Sequence, residues 1–195
     1  MLNDSIAWLV AAAVATLVAA IVRPLPRTLV ALIALGHVAF VVSVAIFPIP
    51  VDHDVTRLSR LTGWTAIATK FVEVTPFETI GQSLRSGLGS YEFTQAVQNL
   101  FVLSPFALYA PLLWPRLLSW AVFLPVALVV GSSIEGAQLV VSLALGFPYR
   151  SIDVDDVILN TAGIVIAFAV YRAVRAITSN TAQPGRTLPT SATSD

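Results

Sequence analysis

Apolar residues run along this chain in five stretches, each approaching the roughly 20 residues that a helix needs to cross a bilayer's hydrocarbon. They cover residues 5–22, 28–49, 94–114, 117–145 and 154–174. RPLPR joins the first two stretches, and Pro115 and Arg116 join the third to the fourth, so both pairs read as tight antiparallel hairpins. Pro125 and Gly131 interrupt the fourth stretch. The pattern predicts an all-α integral membrane protein, an antiparallel bundle of about five transmembrane helices. Four spans follow if the first is removed, and six if part of residues 64–84 re-enters the bilayer. The first stretch has no basic residues ahead of it, so it reads as a span rather than a cleaved leader. The expected units are a helical hairpin at 1–50, an extracytoplasmic loop at 51–93, a helical core at 94–177 and a disordered cytoplasmic tail at 178–195. In the loop, Trp64, Ile67, Phe71 and Val74 recur at helical spacing, as in a short surface helix ending before Pro76.

Composition agrees with the pattern: 56% of residues are hydrophobic, 11% are charged, and mean hydropathy is +0.83. Formal charge is zero, so nothing here recruits nucleic acid. There is no Cys, which excludes disulfides, thiolate metal sites and a Cys nucleophile. No internal repeat is visible. Six basic residues (Arg23, Arg27, Arg116, Arg172, Arg175 and Arg186) fall on one side of the predicted topology and five on the other. All of the six except Arg186 lie close to helix ends, which places the N-terminus outside and the C-terminus inside the membrane.

That topology brings three sets of polar residues to one depth near the outer boundary. Glu135 and Gln138 share a face of the fourth span, Gln95 and Asn99 of the third, and Asp156 and Asn160 of the fifth, with Gln98 close by. Acids facing lipid are costly, so the three faces are expected to turn inward around one pocket, with Arg150 and Asp153 at its mouth. Gly131, Ser132, Ser133, Gly136 and Gly163 would let the helices approach closely. Other uses are open: Asp153 suits a helix cap, and Gln95, Gln98 and Asn99 suit interhelical hydrogen bonds. His37, mid-span with no acidic partner in the sequence, reads as a neutral, hydrogen-bonded core residue. Trp64, Trp114 and Trp120 read as interface anchors.

From residue 73 to 172 the order of motifs resembles the VanZ-like family of small bacterial membrane proteins. The resemblance rests on EVTPF (73–77), NLFVLSPFA (99–107), Glu135 with Gln138, and Arg150, Asp153, Asp156, Asn160 and Gly163. Glu73 stands where that pattern often has Asn, and Ala107 where it usually has Gly. The first two spans carry no recognisable family motif. The resemblance implies a role in susceptibility to teicoplanin-type glycopeptides, which act outside the membrane.

Three functions compete. In the first, Glu135, Gln138, Asp156, Asn160, Arg150, Asn99 and Asp153 bind a lipid headgroup, a lipid-linked wall intermediate or a glycopeptide. In the second, an intramembrane enzyme uses Glu135 or Asp156 as a base, with a divalent ion on Asp153, Asp155 or Asp156. GSSIEG (131–136) lacks the spacing of a serine-hydrolase elbow, and no catalytic residue, cofactor or resident metal is assigned. In the third, the polar contacts are structural, within the bundle or toward a partner in the bilayer.

Overall fold

The computed structural model describes residues 25–49 and 72–181. The first predicted span, the Trp64–Phe71 part of the predicted surface helix and the last fourteen residues lie outside them. Four helical segments are long and apolar enough to cross a membrane: Arg27–Ala45, Tyr91–Leu113, Trp120–Leu145 and Val154–Ser179. The fold is all-α. Among the described residues, its only strands are a two-residue parallel pair, β1 (Val72–Glu73) and β2 (Ile152–Asp153), with Val72 opposite Ile152 and Glu73 opposite Asp153.

The second predicted span is α1 (Arg27–Ala45). Helix α2 (Glu78–Ser86) follows β1, where only a loop was expected, and Val74 is irregular rather than helical. The third span begins earlier than predicted because Ser90 caps it, its Oγ accepting from Phe93 N–H at 3.0 Å. It divides into α3 (Tyr91–Val102) and α4 (Phe106–Leu113) at Pro105, which has no N–H to continue the ladder. The fourth span starts with a 3₁₀ turn, Pro115–Leu118, followed by α5 (Trp120–Gly131) and α6 (Ser133–Leu145). Pro125 lies inside α5 without ending it. The interruption is at Ser132, where helical hydrogen bonds from Ser132 N–H to Leu128 O and from Gly136 N–H to Ser132 O persist, so the hydrogen-bond ladder carries across it. Helix α7 (Val154–Thr181) runs into the stretch expected to be disordered from residue 178.

Helix α7 is the centre of the bundle, packed along α3, α4 and α5. Phe123 on α5 and Phe168 on α7 are fully buried and stacked, with ring centroids 3.7 Å apart. Trp120 meets the Phe168 edge, while Trp114 is 57% exposed beside the 3₁₀ turn, as an interface anchor requires. Leu32, Leu35, Val129, Val140 and Ile166 are exposed, a face suited to acyl chains.

Helix α1 rests mainly on α4, and His37 fixes it there. The break at Pro105 turns Phe106 N–H to Leu103 O, and the Val102 carbonyl accepts from His37 Nε2 at 2.8 Å. A carbonyl only accepts, so Nε2 carries the hydrogen, and Nδ1 of the neutral ring accepts from the Tyr109 hydroxyl at 3.1 Å. His37→Ala strands both groups in buried residues and is expected to cost about 1–3 kcal/mol. It should lower the thermal unfolding midpoint of the purified protein in detergent, with His37→Gln in between. An unchanged midpoint would deny the histidine any holding role.

Candidate functional site

The end of the bundle that carries α2 is built by Asp155. This side chain is fully buried, and its carboxylate accepts from Phe77 N–H at 2.6 Å and from Ile80 N–H at 3.0 Å. Those are N-terminal donors of α2, which that short helix cannot satisfy itself. Phe77 holds φ at 67°, in the left-handed region that a bulky side chain rarely adopts, so the buried acid also stabilises a strained turn. Ser83 Oγ donates to Glu92 O and ties α2 to the start of α3. Glu73 Oε1 accepts from Thr75 N–H at 2.8 Å, the turn-forming role of the Asn expected there. Hydrogen bonds from Thr75 hold the Glu73 carboxyl below its ordinary range.

Two predicted site residues, Asp153 and Asn160, lie outside the cavity lining. Asp153 caps α7, with Oδ1 accepting from Asp155 N–H at 2.8 Å, and its own N–H donates to Glu135 Oε2 at 3.3 Å. That bond puts Glu135 of α6 level with the start of α7, the common depth that topology required. Asn160, 1% exposed, does not line the cavity, and among the described residues neither of its side-chain polar atoms has a hydrogen-bond partner.

The other five predicted residues line one cavity of about 350 Å³: Asn99 from α3, Glu135 and Gln138 from α6, Arg150 from the connection, and Asp156 from α7. Gln95 and Gln98 join them. Glu135 and Asp156 lie within electrostatic reach of each other, and Arg150 within reach of Glu135. The Asn99 amide lies beside the Asp156 carboxylate without meeting hydrogen-bond geometry, leaving Nδ2 buried and unpartnered among the described residues. Nearby, the Tyr149 hydroxyl is likewise buried without a partner there, and burial pushes its phenol pKa up against the opposing charge of Arg150. The lining combines two acids, four amides and a guanidinium, a set that accepts and donates at once.

Helix α1 is the wall that the sequence did not reveal. Phe40, Val44 and Ala45 line the cavity, although this helix carries none of the recognised motifs. Gln138 Nε2 donates to Ala45 O at 2.9 Å and Arg150 Nη2 to Phe47 O at 3.2 Å. Ala45 is the last residue of α1 and Phe47 lies just beyond it, so neither carbonyl has a further helical turn to supply its donor. Among the described residues, no three of His, Cys, Asp and Glu are placed to hold a metal ion. Asp153 and Asp155 are instead directed at backbone N–H groups.

A bundle apolar on its outside, with acids and amides gathered in a cavity at one end, defines a multi-helix membrane protein with a polar site. The VanZ/LLP1 family model matches residues 31–175, and the chain belongs to that family. The match begins inside α1, so it takes in the helix that bears no recognised motif. No curated protein and no solved structure matches the chain.

Proposed function

We propose that the cavity binds the polar head of an envelope amphiphile at the outer leaflet, and that this binding underlies an effect on teicoplanin-type glycopeptide susceptibility. The observation that carries the reading is the convergence of seven acidic, amide and basic side chains, from three helices and a connection, on one cavity in an otherwise apolar bundle. Arg150 offers further N–H groups beyond the one held by Phe47 O, enough to take a phosphate or carboxylate. Glu135, Asp156 and the amides would take hydroxyl and N–H donors. Family membership supports the envelope context.

The test is the teicoplanin susceptibility of a bacterial host carrying wild type, empty vector, Glu135→Gln or Arg150→Gln, with membrane levels matched by blot. Wild type should protect. Each variant removes a charge-assisted hydrogen bond, weakening head binding by about tenfold or more, so protection should fall toward the vector level. Equal protection by wild type and both variants would sink the reading. A structural role has one observation of its own, the bonds from Gln138 to the last carbonyl of α1 and from Arg150 to Phe47 O just beyond it. It predicts a loss of abundance instead of a loss of protection at equal abundance.

A further inference from the structure

Charge is divided between the two ends of the bundle. Seven of the chain's eleven acids fall among the described residues, and all seven lie at the cavity end: on β1, on α2, in the first turn of α3, on α6 beside the cavity, or where β2 runs into α7. Arg27, Arg116, Arg172 and Arg175 lie at the opposite end, exposed, with no described carboxylate beside them. At helical rise Arg27 stands roughly 27 Å from Ala45 at the cavity, Arg116 roughly 28 Å from Glu135, and Arg172 and Arg175 roughly 24 and 28 Å from Asp156. These lengths approach the roughly 30 Å of a hydrocarbon core, so the four guanidinium groups share the far boundary of the bilayer.

Arg172 is the fixed member of the group. Its Nη1 donates to Leu118 O at 2.7 Å, and its guanidinium carbon lies over the Phe168 ring, 6.0 Å from the centroid. The bond brings Arg172 to the 3₁₀ turn Pro115–Leu118, two residues from Arg116, while Arg175 follows one helical turn further along α7. The remaining N–H groups of Arg172 stay available to a ligand. Trp114 and Trp120 bracket the turn, and both are exposed, so they mark its depth as that of the lipid headgroups. Like charges gathered without a carboxylate repel each other, and an anion at the same depth relieves that repulsion.

We propose that Arg116, Arg172 and Arg175, between Trp114 and Trp120, bind the phosphate of an anionic phospholipid at the end of the bundle opposite the cavity. This site is separate from the cavity and does not rest on the function proposed for it. The tryptophans set the depth, and guanidinium forks match phosphate oxygens two at a time, which an ammonium does not. Net charge completes the choice, because the phosphate of phosphatidylcholine is already neutralised by its own choline. Arginines that served only to orient the chain during insertion would attract anionic lipid diffusely, and Lys would replace any of them without loss.

The experiment uses the full-length protein carrying Trp8→Phe and Trp64→Phe, so that Trp114 and Trp120 are the reporters. It is reconstituted in phosphatidylcholine bilayers with increasing amounts of chain-brominated phosphatidylglycerol, whose bromine quenches a nearby indole. Phosphatidylglycerol should bind about tenfold or more tighter than phosphatidylcholine, each arginine contributing about fivefold. Arg172→Gln and Arg116→Gln should each lower that preference about fivefold; the second keeps the test readable if the first disturbs the bond to Leu118 O. Arg172→Lys, which keeps the charge and loses the fork, should lower it about threefold. Arg85→Gln, on α2 at the cavity end, should leave it unchanged. Equal binding of the two lipids overturns the site, as does a preference that survives both Gln variants. An Arg172→Lys protein indistinguishable from wild type reduces the arginines to diffuse attraction and overturns it too. Displacement of the lipid by inorganic phosphate beyond that by sodium chloride at equal ionic strength overturns the lipid assignment in favour of a free anion.

Discussion

Gly163→Ala is expected to keep the bundle from assembling, with the protein largely lost from the membrane. A Cβ on Gly163 would overlap the carbonyl oxygen of Leu100 and lie 2.7 Å from its carbonyl carbon. Overpacking against side chains costs about 1–3 kcal/mol, and here the obstacle is backbone, so α3 and α7 must separate along their shared seam. Gly131→Ala should be milder: it meets the Thr161 hydroxyl, which can rotate, although the Thr161 Cα follows at 3.0 Å. Gly136 has open space around it, and its replacement by Ala should be neutral or stabilising, since Ala is favoured over Gly in a helix by about 1 kcal/mol. Membrane abundance and unfolding midpoint of the three variants test the order. If Gly163→Ala accumulates as well as Gly136→Ala, the close approach of α3 and α7 is not needed.

Asp155→Ala is expected to release α2 while leaving the spans in place. Two hydrogen bonds from backbone N–H to a buried carboxylate vanish together, at about 1.5–3 kcal/mol each. The strained Phe77 turn loses its only partner from α7 given by these bonds. Trypsin should then cut faster after Arg85, inside α2, in the purified protein. Asp156→Ala, which touches the cavity and not the α2 donors, should leave that cleavage slow. Equal cutting of Asp155→Ala and wild type would mean that α2 is held by Ser83 and its packing on α3 alone.

The four described spans and the convergence of the polar residues were legible because membrane crossing imposes length and buried polarity imposes a shared face. Glu135, Gln138, Asn99, Asp156 and Arg150 line one cavity for that reason. Asn160 shares the Asp156 face yet lies beneath the cavity, because i,i+4 spacing fixes direction around a helix and carries the side chain a full turn deeper. Asp155 looked interchangeable with its neighbours in the sequence. Its role depends on N–H groups 75 and 78 residues away, a distance that no local pattern reports. Helix α2 was missed for a related reason: nine residues are too few for helical propensity alone, and its N-terminus depends on that distant acid. The α1 wall was hidden because it contributes carbonyls and apolar side chains, which any span supplies.

The pairing of residues 72–73 with 152–153, together with the Asp155 bonds to the α2 turn, also orders events during synthesis. The ribosome delivers EVTPF long before its partner, and two spans, Tyr91–Leu113 and Trp120–Leu145, must emerge between it and Asp153 and Asp155. Until then, the α2 donors face water or lipid headgroups. A nascent chain arrested after α6 would hold most of the acids and amides in the bilayer with one end of the bundle unfastened. Completion of the last helix is therefore the step at which translation turns an inserted chain into a closed site.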